Sequence, residues 1–359
     1  MTTRELWQQI MHYGEFDRLP VIHWTEWPET RERWHKEGLP PGLGRGDVRA
    51  SFNAVPHWRI VRINLSLFPA FDEQVLEETD DYRIFRDASG VIKKDWKNQS
   101  CIPQHTGFTF KTAADWPEFK KRLQPDPARI PDAIDERIRE IEESGDAVGV
   151  HAASMMGWIR NWMGVENMCY LMYDDPDCYA DIVDTISDLV CWQLEEIVPR
   201  MNTTPDICHG WEDICGKSGP LVSPAIFDRL VAPGYRKIRN KLDELGIRLY
   251  SIDTDGDIRH LIRHWFEAGV NVQFPVEIGT WQADPMAYRK EFGRELRIVG
   301  GFNKKKKEKG PAAIDAEIER RLPLIKDGGF LMMPDHLITP GTSLQNYQYY
   351  LERVRNLRV

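Results

Sequence analysis

Three aspartates stand at alternate positions directly after an apolar run, in the segment "YSIDTDGDIRHL" of residues 250–261. Side chains two residues apart leave the same face of a strand, so Asp253 and Asp255 share one face. Two carboxylates this close repel each other unless a cation, a hydrogen-bond donor or a shared proton relieves the charge. The pair therefore predicts a metal site, an acid–base site or a solvated turn. Asp257 lies in the turn, where we expect it to be the N-cap of a helix over 258–266.

Calcium binding of the EF-hand type is excluded by the spacing. An EF-hand loop needs Gly at its sixth position and Glu at its twelfth. Counted from Asp253, Gly256 falls at the fourth position and His264 at the twelfth. The three aspartates must therefore serve another purpose.

Eight short apolar runs recur along the chain, and helical spacing follows most of them. The runs cover residues 20–24, 58–68, 146–154, 205–213, 247–257, 270–277, 296–303 and 328–336. This alternation is typical of parallel βαβ units, and eight strands favour a closed (β/α)₈ TIM barrel over an open sheet. Residues 73–111 break the rhythm and predict antiparallel strands joined at "DASG", which form an insertion after the second strand. We expect residues 1–359 to form a single domain.

In such a barrel, the reacting side chains lie where strands end and loops begin. The predicted strand ends carry acids, histidines and amides: His23, Trp24, Asn64, His151, His209, Glu212, Asp213, Asp253, Asp255, Glu277, Asn303, Lys304, Asp335 and His336. A solvated rim would also be polar, and for Glu277 and Asp335 the alternative is a structural role between neighbouring loops. Tryptophans near the strand ends suit an aromatic wall, although ordinary packing is the alternative. The lysine run 304–310 is typical of a solvated surface, with Lys304 as the candidate for a phosphate contact.

The bulk composition excludes several classes of protein. The chain has 359 residues, a net charge of −9 and 42% hydrophobic residues. The negative charge argues against nucleic-acid binding, and the absence of a long apolar stretch argues against a membrane span. Six scattered cysteines without a CxxC pair suit a reducing compartment. We therefore expect a soluble, cytoplasmic protein.

Several segments resemble the uroporphyrinogen decarboxylase superfamily, in the order in which they occur. They are "DRLPVIHW", "GWIRNWMGVENMCYLMYDDPD", "WEDICGKSGPLVSPAIF", "RIVGGFNKK" and "MMPDHLITPGTSLQNYQYYL". The superfamily includes the decarboxylase of haem synthesis and zinc-dependent, corrinoid-linked methyltransferases. The resemblance covers nearly the whole chain and implies a (β/α)₈ barrel.

The residues of the decarboxylase are mostly replaced in this chain. Thr25 and Glu26 stand where the decarboxylases carry an arginine-rich segment. No acid stands near Asn64 in place of their essential aspartate, and only His336 matches their C-terminal histidine. A substrate with many carboxylates needs cationic partners. Uroporphyrinogen is therefore not the expected substrate.

The methyltransferases carry His-x-Cys-Gly and a later Cys as zinc ligands. Through the shared glycine, these positions align with Asp253, Asp255 and His336. The resemblance thus implies a divalent metal, zinc or similar, on a harder donor set than His-Cys-Cys. Such a metal favours an alcohol, phenol or carboxylate oxygen over a thiol.

The leading hypothesis is an enzyme that moves a methyl group between a small oxygen-containing compound and a corrinoid supplied by a partner protein. Asp253, Asp255 and His336 would hold the metal or bind substrate directly, while Glu277 and His151 would transfer protons. Substrate contacts are predicted for Trp24, Trp158, Trp211, Glu212, Asp213, Asn303 and Lys304. One alternative is a decarboxylase or other lyase that needs no cofactor. The other is a non-catalytic barrel that binds a corrinoid or tetrapyrrole. A homodimer is common for this fold.

Overall fold

The computed structural model describes residues 1–98 and 101–359, so residues 99 and 100 of the predicted insertion lie outside the described chain. The strands are β1 (Arg59–Val61), β2 (Gln74–Glu78), β3 (Tyr82–Arg86), β4 (Ile92–Trp96), β5 (Gln104–Gly107), β6 (Val148–His151), β7 (Ile207–Trp211), β8 (Cys215–Gly216), β9 (Gly219–Pro220), β10 (Tyr250–Asp253), β11 (Val272–Val276), β12 (Arg297–Phe302) and β13 (Phe330–Pro334).

Some helices precede the first strand, and the others follow residue 110, where they lie between or after strands. They are α1 (Thr3–Met11), α2 (Pro28–Lys36), α3 (Arg45–Ser51), α4 (Trp116–Lys121), α5 (Ile134–Glu143), α6 (Gly157–Met163), α7 (Val165–Asp174), α8 (Pro176–Ile197), α9 (Pro224–Ile226), α10 (Ala232–Glu244), α11 (Ile262–Glu267), α12 (Pro285–Phe292), α13 (Pro311–Asp327) and α14 (Leu344–Arg355). Among the described residues, no helix combines the length and the apolar character needed to cross a bilayer.

Seven strands form one parallel sheet in the order β1-β6-β7-β10-β11-β12-β13. Seven of the eight predicted apolar runs are thus confirmed as strands. Most side chains of β6, β7 and β10–β13 are buried, as expected for a parallel sheet covered by helices, whereas in β1 only Val61 is buried. The register places His151 beside His209, and His209 beside Ser251. One step of two residues further on, Asp253 pairs with Trp211.

The first predicted strand, residues 20–24, is not a regular strand. Its surroundings make only two isolated bridges, Ile22 with Val55 and Glu26 with Ile338. The segment pairs with Val55, which precedes β1, on one side and with Ile338, which follows β13, on the other. A continuous ladder needs several consecutive pairs with one neighbour, and here each side offers a single pair.

The region predicted as an antiparallel insertion forms a four-stranded antiparallel sheet in the order β2-β3-β4-β5. It lies between β1 and β6 in the chain. The predicted turn "DASG" joins β3 to β4, where the Asp87 side chain accepts hydrogen bonds from the backbone of Ser89 and Val91. Gly90 has a φ of +78°, a conformation that favours glycine.

The composition of the lysine run predicted a solvated surface. In the structure, the run is only partly solvated. Residues Lys304–Lys309 form a 3₁₀ helix in which Lys304 and Lys307 are buried. The Lys307 ammonium lies 5.4 Å from the centre of the Phe302 ring and 5.6 Å from that of Tyr350. It has no hydrogen-bond partner among the described residues. Burial lowers the pKa of Lys307 from 10.5 to about 7.

Replacing this lysine with methionine is expected to stabilise the fold. The folded state binds the proton of Lys307 more weakly than the unfolded state does. The stability lost by burying the charged ammonium is therefore zero above pH 10.5, grows as the pH falls, and is complete below about pH 7. At 1.36 kcal/mol per pKa unit, Lys307→Met should gain up to about 5 kcal/mol at pH 6 and about 2 kcal/mol at pH 9. Urea unfolding at the two pH values measures the difference.

The matched control is Lys305→Met, which removes the same charge from an exposed position of the same helix. Its effect should stay within about 0.5 kcal/mol at both pH values. A gain for Lys307→Met that does not shrink between pH 6 and pH 9 would show that the buried ammonium is not the cause.

Candidate active site

A cavity of about 390 Å³ opens at the carboxyl end of the parallel sheet. Side chains at the ends of β1, β6, β7 and β10 surround it. They are Arg62, Ile63, Leu65, Ser66, His151, Trp158, His209, Trp211 and Asp253. The volume is near the lower end of the roughly 300–1,000 Å³ typical of pockets for small organic ligands.

Three carboxylates meet beside this cavity. Asp213, Asp253 and Asp255 each offer an oxygen, and these oxygens lie within 4.8 Å of one another. Burial raises the pKa of Asp253 well above its usual value, and the negative charges of Asp213, Asp255 and Glu277 raise it further. One oxygen of Asp255 is buried without a partner in the part of the chain that the structure describes. The group thus carries more negative charge than its protein surroundings neutralise.

The loop that bears Asp255 depends on Gly256. This glycine has a φ of +93°, and a Cβ there would lie 2.0 Å from the carbonyl oxygen of Cys215. Asp257 is not the N-cap of the following helix, contrary to the sequence prediction. It accepts hydrogen bonds from the backbone and the guanidinium of Arg259, and α11 begins only at Ile262. The turn after β10 takes up the residues between.

His336 contacts the acidic group from the end of β13. Its Nε2 lies 3.1 Å from an oxygen of Asp255. The predicted set of Asp253, Asp255 and His336 therefore lies at one place, although the most compact group takes Asp213 as its third member. The Trp24 ring lies 6.0 Å from the His336 ring and 5.0 Å from Phe274. It packs against the histidine and does not line the cavity.

Glu277 is held between neighbouring loops. One of its oxygens accepts a hydrogen bond from the Lys304 ammonium at 2.8 Å. The other accepts from the backbone of Gly256 at 3.2 Å and from the indole of Trp281. The side chain thus connects the loops after β10, β11 and β12. Its predicted role in proton transfer remains a prediction, and Lys304 acts here as its partner.

Asp335 and Asn303 have structural contacts. Asp335 accepts hydrogen bonds from the backbone of Ile278, Gly279 and Lys304 at 2.7–2.9 Å. The Asn303 side chain accepts from the backbone of Lys305 and begins the 3₁₀ helix. The substrate contact predicted for Asn303 has no support in this geometry, because its oxygen is engaged in the cap.

Glu212 lies inside the protein and does not line the cavity, contrary to its predicted contact with substrate. It is 0% exposed and accepts hydrogen bonds from the Ser154 hydroxyl, the Tyr235 hydroxyl and three consecutive backbone N–H groups, those of Met155, Met156 and Gly157. Burial raises its pKa, and these donors oppose the rise. The carboxyl fixes the start of α6. Its neighbour Asp213 is the residue that reaches the acidic group.

Two histidines line the cavity together with Asp253. His209 Nδ1 lies 2.7 Å from the Ser251 hydroxyl, and burial lowers its pKa well below the usual value. His151 Nδ1 accepts a hydrogen bond from the backbone N–H of Ala153 at 3.0 Å. Burial, assisted by the charge of Arg62, lowers the pKa of His151 to about 4. His151 is therefore a neutral imidazole whose proton is on Nε2, and it offers a donor to the cavity.

This protonation state can be checked directly. Nitrogen-15 NMR of the histidine side chains is expected to show His151 as the Nε2–H tautomer from pH 8 down to about pH 5, because its pKa is about 4. Comparison with His151→Gln assigns the resonance. A proton on Nδ1, or a titration near neutral pH, would contradict the assignment and restore the role of His151 as a base.

The sequence pattern predicted a role for neither Arg62 nor His57. Arg62 directly follows β1, which ends at Val61, and lines the cavity, whereas the second apolar run continues to residue 68. His57 packs against Trp24, Trp58 and Phe274, and burial lowers its pKa to about 3. Alternation along "WRIVRINL" would have placed Arg62 and Asn64 on one face.

Parallel strands whose carboxyl ends carry acids, imidazoles and an arginine around a cavity define an enzyme-like α/β protein. Residues 146–357 match the family described as uroporphyrinogen decarboxylase (URO-D). The chain belongs to this family. A comparison with curated proteins gave no match.

Solved structures with a similar backbone include a methyltransferase from Methanosarcina mazei. The two share 13% sequence identity and a TM-score of 0.62, over 99% of this chain and 98% of that one. At this level of identity, the similarity concerns the fold alone. A B12-independent methionine synthase from Listeria monocytogenes has 11% identity and a TM-score of 0.36 over 65% of this chain and 70% of that one. One from Shewanella sp. W3-18-1 has 9% identity and a TM-score of 0.38 over 94% and 93%. These two are too distant to support an argument.

Proposed function

We propose that this protein is a methyltransferase that moves a methyl group between a small oxygen-containing compound and a corrinoid carried by a partner protein. The observation that carries the proposal is the meeting of Asp213, Asp253 and Asp255 at the edge of an open cavity of small-molecule size. Such a group binds a cation or polarises an oxygen, and both serve the transfer of a methyl group from oxygen.

The acidic group suits a divalent metal. It offers three carboxylate oxygens in close reach, one oxygen of Asp255 is buried without a partner among the described residues, and an imidazole nitrogen of His336 stands beside Asp255. Oxygen donors with one imidazole favour a harder ion than the His-Cys-Cys set of the zinc methyltransferases. Asp213, Asp253 and Asp255 would hold the metal with His336 at its side, and the ion would supply Lewis acidity toward the substrate oxygen.

The surrounding residues bind and orient the substrate. Trp158 and Trp211 provide flat walls for a small organic molecule. Glu277 is fixed by Lys304 and by the backbone of Gly256, so it holds the loop of Asp255 in place. The cavity is small for a corrinoid or a tetrapyrrole, and a partner protein would therefore present the corrinoid at the mouth.

We also infer that the sheet is closed as a (β/α)₈ barrel. The segment around residues 21–27 supports this, because its backbone hydrogen bonds reach Val55 on one side and Ile338 on the other. The eighth position would then be taken by an extended segment with irregular pairing. The chain from residue 1 to 359 would form one domain, with the β2–β5 sheet as its insertion.

The test is a methyl-transfer assay with free cob(I)alamin as acceptor. Aryl and alkyl methyl ethers are offered to protein supplied with Mg²⁺, Mn²⁺, Fe²⁺ or Zn²⁺, and the formation of methylcobalamin is followed by its absorbance. Transfer that requires one of these ions and is lost on chelation supports the proposal. No transfer from any ether, with any ion, would refute it.

A metal-free decarboxylase is the second candidate, and one observation favours it. Burial and three acidic neighbours raise the pKa of Asp253, which favours its protonated form, and a protonated carboxyl at the cavity could deliver a proton to a carbon that loses CO₂. Release of CO₂ from small carboxylic acids in the presence of a chelator would support this candidate over the methyltransferase.

A further inference from the structure

We propose that Arg62 anchors the carboxylate of a small aromatic acid, so that the substrate of this cavity is a monoanion. This inference rests on the proposed function, because it names the class of methyl-bearing compound that the same cavity takes. The substrate would lie between Trp158 and Trp211, with its carboxylate at Arg62 and its ether or hydroxyl oxygen toward the acidic group.

Arg62 is available for such a ligand. It follows β1 directly and lines the cavity together with His151, His209 and Asp253. Within residues 1–98 and 101–359 it forms no ion pair. The residue is exposed at the open side of the cavity, and partial burial of its guanidinium lowers its pKa. Most other arginines near the sheet are engaged: Arg59 pairs with Asp146, and Arg160 donates to the backbone of Asp213. An unpaired guanidinium in a cavity is a ready partner for a carboxylate, which it can grip with two parallel N–H groups.

The neighbouring imidazoles complete the anchor without adding charge. The charge of Arg62 helps to lower the pKa of both His151 and His209, which shows that all three lie within electrostatic reach. The contact between Ala153 and His151 Nδ1 leaves the Nε2–H of His151 as a donor. This wall of the cavity thus offers one positive charge and at least one neutral donor. That combination matches a monoanion; a phosphate dianion would meet too little positive charge.

The size and the walls of the cavity select a small aromatic skeleton. A volume of about 390 Å³ admits a single substituted ring with its solvent. Trp158 stacks on the His151 ring at 6.1 Å with the planes 21° apart, which sets a flat wall beside the donor. Trp211 forms another wall, and it pairs with Asp253 across the sheet. A ring held between these walls with its carboxylate at Arg62 would have its far end near Asp253.

Binding of matched ligands tests this assignment without any need for turnover. Calorimetry with 4-methoxybenzoate and the neutral 4-methoxybenzyl alcohol is done on wild type, Arg62→Met and Arg62→Lys. Wild type is expected to bind the carboxylate at least about 10-fold more tightly than the alcohol, and Arg62→Met should weaken carboxylate binding about 10- to 100-fold. Its affinity for the alcohol should change less than threefold. Arg62→Lys should retain part of the preference, since it keeps the charge and loses the fork.

The control is Arg139→Met, which removes an exposed arginine of α5 away from the cavity. It should bind both ligands as wild type does. The anchor is overturned if wild type shows no preference for the carboxylate, or if Arg62→Met keeps that preference with an unchanged Tm. If carboxylate binding depends on Arg62 but no methyl transfer is detected, the anchor is supported and the proposed function is refuted. Methyl transfer from 4-methoxybenzoate by Arg62→Met at the wild-type rate would instead remove the anchor and leave the proposed function.

Discussion

The Asp253→Asn/Asp255→Asn protein is expected to bind Mn²⁺ at least about 100-fold more weakly than wild type and to lose metal-dependent methyl transfer. Substitution of residues that only hydrogen-bond to metal ligands already lowers metal affinity about 10- to 100-fold. In this variant, two of the three carboxylates that would bind the metal directly lose their charge. Asparagine keeps the shape of the side chain, so the fold should persist. Without metal, the variant should be at least as stable as wild type, because a repulsion among buried carboxyls is removed.

Calorimetric titration and thermal unfolding with and without Mn²⁺ measure both effects. An ion at 100 times its Kd stabilises the folded state by about 2.7 kcal/mol, so wild type should gain several degrees and the variant almost none. Asp257→Asn is the matched control, since Asp257 lies on the same loop but is paired with Arg259. Wild-type affinity for Mn²⁺ in the double variant would remove both aspartates from the proposed site.

Replacement of Glu212 with alanine is expected to cause a large loss of stability, about 4 kcal/mol or more. The substitution leaves three buried N–H groups and two hydroxyls without their acceptor, and each buried group left unpaired costs about 1–3 kcal/mol. Urea unfolding followed by tryptophan fluorescence gives the change in the free energy of unfolding. Glu212→Gln should lose less, because its amide oxygen still accepts.

The matched control is Glu140→Ala, which removes an exposed carboxyl of α5 and should change stability by less than about 0.5 kcal/mol. If Glu212→Ala kept wild-type stability but bound substrate poorly, Glu212 would instead belong to the binding site, as its place at a strand end first indicated.

The sequence was sufficient to predict most of the parallel sheet. Runs such as 296–303 and 328–336 are apolar over most of their length, and that pattern predicts strands buried on both faces; β12 and β13 lie within them. Residues 20–24 show the same pattern, yet this part of the chain pairs irregularly: Ile22 bridges to Val55 and Glu26 to Ile338. A local pattern carries no information on which distant residues a segment will pair with.

The candidate site was predicted in part because strand ends are local features of the sequence. Asp253, Asp255, Glu277 and His336 were placed at one end of the sheet by that rule, and the structure brings them there. What each side chain contacts could not be predicted in the same way. Glu212 and Asp213 are adjacent, but the first turns toward α6 and the second toward Asp255, a difference set by the positive φ of 50° at Asp213. The burial of Lys307 could not be predicted from its local sequence, because it depends on packing against Tyr350 of α14, far along the chain.

The most direct test of the central claim is an anomalous diffraction experiment on crystals soaked in Mn²⁺. If acidic groups from distant parts of the chain converge to hold a cation, one strong peak should lie among the oxygens of Asp213, Asp253 and Asp255. A map without a peak at saturating Mn²⁺, or with its only peak on the outer surface, would contradict the account.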